Sequence, residues 1–330
     1  MTSGGSDVGV PSAPDTRLDA RAVALGGGHG LAASLSALRH VVRDLTAVVT
    51  VADNGGSSGR LRTEFGALPP GDLRMALAAL CGDDDWGQTW ARVLQHRFSS
   101  AGEMHDHAVG NLLIVALWEL LGGHVEGLDW VGRLLGAEGR VLPMSVTPID
   151  ITAQVVGLDA IDPWATTLVS GQVEVASTAG RVSSVQLEPQ DPPACPEALA
   201  AVRAADWVVL GPGSWFTSVI PHLLVPELRD ALTATKARTV VTLNLEPQTG
   251  ETDGFSPERH LEVLLAHAPD LRIDVVLVDE RAMTDEEALR KVVTGLGADL
   301  VVADLAVDDG SPRHDPDKLA DAYAGIMRQA

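Results

Sequence analysis

The sequence predicts an α/β fold, a mostly parallel sheet flanked by helices, and three observations carry it. Short apolar runs alternate with helix-period segments along most of the 330 residues. Several of those runs end in glycine-rich loops. Aromatic residues are only 4% of the chain, with one tyrosine, while 45% of residues are hydrophobic. A core drawn from Val, Leu and Ala suits strands buried on both faces.

The elements follow in order. "AVAL" (22–25) reads as a first strand, "LAASLSALRHV" (31–41) as a helix and "LTAVVTVA" (45–52) as a second strand, a βαβ unit. Helical patterns follow at 71–80, 90–98, 111–121 and 130–139. Residues 141–190 change to β-prone pieces broken by Pro, Gly and Asp, which predicts a small β-rich insertion. The α/β rhythm then resumes with strand candidates at 207–211, 239–245, 273–279 and 300–305. The organisation expected is a flexible tail over 1–20 and a single α/β domain over 21–330.

Charge restricts the partners. The formal net charge is −21, which excludes a broad nucleic-acid or anionic-membrane surface. Residues 1–80 hold seven basic and seven acidic residues; the other 250 hold 17 and 38. The neutral end is the one with the glycine loops, so an anionic small ligand belongs there. Cys81 and Cys195 form no disulfide framework or zinc pattern. The first 20 residues lack an apolar signal core, and no run reaches membrane-spanning length. A cytoplasmic setting is expected, without membrane insertion.

Four strand-end loops carry the chemistry. Gly26, Gly27, Gly28, His29 and Gly30 lie between a strand and a helix, where bare backbone lets N–H groups approach a phosphate. Gly28, Gly30 and Ala33 also satisfy G-x-G-x-x-A, with Asp53 ending the next strand, which keeps a nicotinamide dinucleotide in play. No Walker Lys follows. In "ADNGGSSGRLR", Asp53, Asn54, Gly55, Gly56, Ser57, Ser58, Arg60 and Arg62 resemble an anion nest, or else a surface loop with solvated arginines. Asp72 contacts a metal or hydroxyl, or merely caps a helix. Asn111 donates to a phosphate or caps its own helix; the nearby His105 and His107 have no further ligands spaced to complete a metal site. Gly211, Gly213, Ser214, Thr217 and Ser218 form a third loop, and Glu251, Thr252, Asp253 and Gly254 a fourth. Ligands of open α/β sheets bind outside the carboxyl ends of the strands, so the four loops point to one crevice. No nucleophile–base pair is evident.

The motifs "GGGHGL", "VTVADNGGSSGRLR", "LPPGDLR", "HAVGNLL", "VLGPGSWFTSVIPHLLVPEL" and "GETDGFS", spread over about residues 22–325, resemble those of the YvcK family of gluconeogenesis factors. That family is similar in fold to CofD, the 2-phospho-L-lactate transferase. The resemblance implies a Rossmann-like sheet and a UDP-sugar ligand, chiefly UDP-N-acetylglucosamine. It further implies a regulatory role in carbon flux, cell-wall precursor supply and cell shape, without an established reaction and without a resident metal. A homodimer and a regulatory protein partner are compatible with it. His29, Asn54 and Met75 depart from the family pattern, where Thr, Asp and Asn are usual. The loss of a carboxylate at Asn54 argues against a CofD-like metal cluster. Mg²⁺ therefore enters only with the alternative, a CofD-like phosphotransferase using Asp53 and Asp72.

Overall fold

The structure is a computed structural model describing residues 15–329. The chain opens with β1 (Leu18–Gly26), α1 (Gly28–Leu38) and β2 (Val42–Val49). Five helices follow: α2 (Gly56–Phe65), α3 (Gly71–Ala79), α4 (Asp85–Gln95), α5 (Val109–Leu121) and α6 (His124–Leu135). They lead to β3 (Arg140–Pro143). Next come β4 (Asp150–Val156), β5 (Thr166–Ser170), α7 (Gln172–Ala176) and β6 (Arg181–Glu188). Then come α8 (Pro196–Ala204), β7 (Trp207–Leu210), a π-helical turn (Trp215–Val219), α9 (Pro221–Leu224), α10 (Pro226–Ala234) and β8 (Arg238–Thr242). The chain closes with α11 (Pro257–His267), β9 (Val275–Asp279), α12 (Glu286–Gly295), β10 (Asp299–Ala303) and α13 (Pro316–Arg328).

Seven strands make one parallel sheet in the order β10-β9-β8-β7-β1-β2-β3. Its central strands are apolar because both faces are covered: Val208, Val209 and Leu210 are fully buried, as are Val240, Val241, Val276, Leu277 and Val278. Strand order runs outward in opposite directions from β1 and β7. Right-handed crossovers therefore put the helices of the two halves on opposite faces. On one face α1 packs between α3 and α13; α8 packs against α10 and reaches β1 and β3. The β1/β7 pair, with Leu25 opposite Leu210, is the topological switch point.

The β-rich insertion is a three-stranded antiparallel sheet, β5-β4-β6. Several boundaries differ from the sequence expectation, and three of them change the organisation of the chain. Residues 140–143 leave the insertion and extend the main sheet, Val48 pairing with Leu142, because Val141 and Leu142 are buried against it. The run "VSGQVEVAS" breaks at Gly171 (φ +105), after which Gln172–Ala176 is a helix rather than a strand. The expected tail ends sooner than residue 20. Leu18 pairs with Val42 in β1, and residues 1–14 of that tail lie outside the described residues.

Candidate functional site

β1 ends at the buried Gly26, and the chain enters α1 through Gly27. The first intrahelical bond runs from Leu31 N–H to Gly27 O (3.2 Å), so the N–H groups before it have no acceptor within the helix. The glycines serve distinct ends. A Cβ on Gly27 would fall 2.5 Å from Thr50 Cγ2 and 2.6 Å from Asp72 Oδ2, while one on Gly30 would collide with the Pro212 carbonyl and Gly213 Cα. Gly28 instead needs its positive φ (+56); a Cβ there would meet open space.

From β7 the chain turns through Gly211 (φ +75) and Gly213 (φ +139). Asn244, just past β8, clamps Gly213 from both sides: its Oδ1 accepts from Gly213 N–H (2.8 Å) and its Nδ2 donates to Gly213 O (2.9 Å). Ser214 Oγ accepts from Gln248 Nε2 (3.4 Å). Two cavities open at this edge, of about 620 and 210 Å³. Both are lined by His29, Gly30, Gly213 and Gln248, so they are lobes of one crevice over the first turn of α1. The small lobe adds Asp72, Gln172, Ser214 and Ser218; the large one adds Asn244, Leu245, Pro247, His314 and Pro316.

The second glycine loop is not a free nest. Residues from Gly56 onward form α2, with Gly56 at φ +47 and Asp53 Oδ1 accepting from Gly55 N–H (2.9 Å). Arg62 pairs with Asp150 (2.9 Å), and Arg60 donates to the carbonyls of Glu103 (3.1 Å) and His105 (2.8 Å). Asn54 turns toward the insertion: its Oδ1 accepts from Val173 N–H (3.0 Å) and its Nδ2 donates to Glu174 (2.8 Å). Ser57, buried, accepts from Asn111 Nδ2 (3.1 Å) and meets His107 Nδ1 (3.0 Å), while Asn111 Oδ1 accepts from Arg74 Nε (3.0 Å). Asn111 thus organises the floor around Arg74 and neither caps α5 nor reaches the crevice. Thr217 donates to Glu251, whose other oxygen accepts from Phe216 N–H (3.1 Å); burial raises the Glu251 carboxyl. Thr252 Oγ1 accepts from Gln248 N–H (2.8 Å) and shapes the 244–252 loop.

Asp72 is the chemically perturbed group. Burial chiefly, and the nearby Asp53 carboxylate, push it up to about 7; the Gly28 N–H and Arg74 oppose the rise. Arg74 is itself brought down to about 10, first by burial and then by Arg97. Ser58 Oγ, buried near Asp53, and the Oγ1 of Thr50, whose methyl lies beside Gly27, have no hydrogen-bond partner among the described residues. Among the described residues no cluster of three or more His, Cys, Asp or Glu is placed to hold a metal. Asp53 and Asp72 are two carboxylates, which Mg²⁺ accepts when phosphate and water complete its shell.

The structure gathers Gly27–Gly30, Asp72, Gly213, Ser214 and Ser218 of the sequence candidates around one crevice, while Gly26 is buried at the end of β1. Sequence reasoning overlooked Asn244, Gln248, Gln172 and His314. Asn244 stands immediately beyond a strand's carboxyl end, a position that could have flagged it; Gln172 lies in the insertion, and no local signal marks it. A parallel sheet with a glycine-lined helix N-terminus and a crevice at the switch point defines a Rossmann-like α/β protein. A family model described as "2-phospho-L-lactate transferase CofD" matches residues 22–309. The chain is 53% identical over 307 residues to the "Putative gluconeogenesis factor" of Mycobacterium tuberculosis, spanning 92% of this chain and 89% of that one. It is 34% identical over 318 residues to the "Gluconeogenesis factor" of Listeria monocytogenes, spanning 93% and 95%. A crystal structure of a UPF0052-family protein from Bacillus halodurans superposes with a TM-score of 0.81 at 32% identity, covering 92% and 98%. The chain belongs to the CofD family, among its YvcK-type gluconeogenesis factors. No helix among the described residues is long and apolar enough to cross a membrane.

Proposed function

We infer that the protein binds a UDP-sugar, chiefly UDP-N-acetylglucosamine. The reading makes it a cytoplasmic regulator that couples this ligand to carbon flux, cell-wall precursor supply and cell shape. The observation that carries the reading is the pair of lobes meeting over the first turn of α1. A diphosphate laid across His29 and Gly30 meets unpaired N–H groups and the positive helix end. A nucleoside and a sugar then extend to either side, and the combined space suits a ligand of that size. The relatives are named gluconeogenesis factors, which supports a role in carbon metabolism. Calorimetric titration with UDP-N-acetylglucosamine, UDP, GDP and NAD tests it. UDP-N-acetylglucosamine should bind tightest; a tenfold advantage for NAD would sink the reading.

A second reading rests on the Asp53–Asp72 pair. In a CofD-like phosphotransferase those carboxylates would hold Mg²⁺, which supplies charge neutralisation at a transferring phosphoryl group. Arg74 behind Asp72, and the Gly28 N–H on it, would favour the ionised form of Asp72 against the burial that raises it. Binding that needs Mg²⁺, with phosphoryl transfer from a nucleotide donor, would favour this reading over the regulator.

A further inference from the structure

We propose that β5 is a dimerisation edge: two copies of this chain join β5 to β5 antiparallel, merging their insertions into one six-stranded sheet. The observations are geometric. β5 lies at the end of the order β5-β4-β6 and, among the described residues, pairs only with β4. Gly171 N–H, the next residue along, donates to Ile151 O (2.8 Å). In an antiparallel ladder alternate residues face alternate sides. The odd-numbered residues therefore bond β4, and the N–H and C=O groups of Thr166, Leu168 and Ser170 point outward.

Those outward groups are in phase with themselves. A two-fold axis through Leu168 sets Leu168 against Leu168 of the second copy as a hydrogen-bonded pair. It also sets Thr166 against Ser170 on either side. An isologous interface needs this self-complementarity. Exposed strand edges are normally blunted by Lys, Pro or bulges. Residues 163–173 carry no charge at all in a chain whose net charge is −21. This stretch is thus a place where two like-charged copies can touch without opposing charges at the contact.

The apolar surface is large enough. Ile161 is 95% exposed, Trp164 80% and Leu168 62%. These three side chains offer on the order of 500 Å² per copy. Doubled, that is roughly the 1,000 Å² at which specific interfaces begin. The same register carries Trp164 of one copy level with Gln172 of the other, at the start of α7. Gln172 lines the small lobe of the crevice. Pairing would therefore bury Val173 and brace the wall of the neighbour's site. Asp159, Asp162 and Glu174 flank the contact, so salt should strengthen association by screening them.

Sedimentation of the full chain is the test, at low and high salt. The wild type should be a dimer, tighter at high salt. Leu168→Lys sets two charges face to face and should give a monomer with unchanged circular dichroism. Hydrogen exchange should show the amides of Thr166, Leu168 and Ser170 slowed in the wild-type dimer and fast in the variant. A monomeric wild type, or a Leu168→Lys variant that still dimerises, overturns the proposal. Should Leu168→Lys unfold, Ser170→Lys, exposed on the same edge, decides by the same two outcomes.

Discussion

The two lobes of the crevice share an edge but differ in what encloses them. The small lobe is built by the first βαβ unit, α3 and α7, and its floor is a carboxylate near neutrality. The large lobe is built by the loops after β8 and β10 and the start of α13, and prolines wall it. The small lobe holds one buried carboxylate, and the large lobe sets Glu246 and Arg313 among its prolines. They meet where Gly30 touches the Pro212–Gly213 backbone, so that contact is where both can be lost together.

Gly30→Ala is accordingly the largest effect expected. Its methyl collides with backbone, not a movable side chain, and overpacking of this kind costs about 1–3 kcal/mol. Urea unfolding should show that loss, and nucleotide affinity should vanish with it. Gly28→Ala meets open space and suffers only the left-handed φ, about 1 kcal/mol. Equal behaviour of the two variants would mean that the lobes do not close on each other at Gly30.

Asp72 sharpens the comparison from the small lobe. Its carboxyl is raised from 3.8 to about 7. A raised acid contributes stability that is complete below its unfolded pKa and is lost as pH rises through the folded one. Stability should therefore decline between about pH 4 and 7, by about 4 kcal/mol in total. Asp72→Asn should remove that slope. Without a divalent cation, affinity for a diphosphate should fall over the same window as the second negative charge develops beside Asp53, and Asp72→Asn should flatten that too. A wild-type profile level from pH 4 to 8 would contradict the burial assigned to Asp72.

This division also explains what the sequence disclosed. The parallel strands were legible because both faces are buried, as in "WVVL" and "VVLVD", where apolar runs leave no alternation to misread. The glycine loops were legible because backbone approach admits few residues. The 56–65 helix was hidden because glycine and serine signal loops locally, yet Gly56 and Gly59 start a helix: a Cβ on Gly59 would strike the Asn54 carbonyl. Side-chain direction was hidden as well. Asn54, Asn111, Thr217 and Thr252 sit in site-like motifs, yet each bonds to a partner contributed by a distant stretch or by its own loop. Gln172 reaches the small lobe only because the insertion folds back over it.

Asn54 gives the smallest and most discriminating expected effect. Its amide bonds α7 at both ends, accepting from Val173 and donating to Glu174, and the latter bond lowers the Glu174 carboxyl. Asn54→Asp restores the carboxylate usual in the family, keeps the bond from Val173 and turns the contact with Glu174 into a repulsion. Glu174 is nearly fully solvated, so the penalty should be a fraction of about 1 kcal/mol and shrink with salt. The sign follows from the shift. Glu174's lowered carboxyl contributes stability above its unfolded pKa that is lost on acidification, so wild type and variant should converge as pH falls below about 4. If Asn54 holds the wall and not the ligand, nucleotide affinity should change little at high salt, where the repulsion is screened. A loss of affinity that salt does not relieve, with stability unchanged, would place Asn54 in direct contact with the ligand.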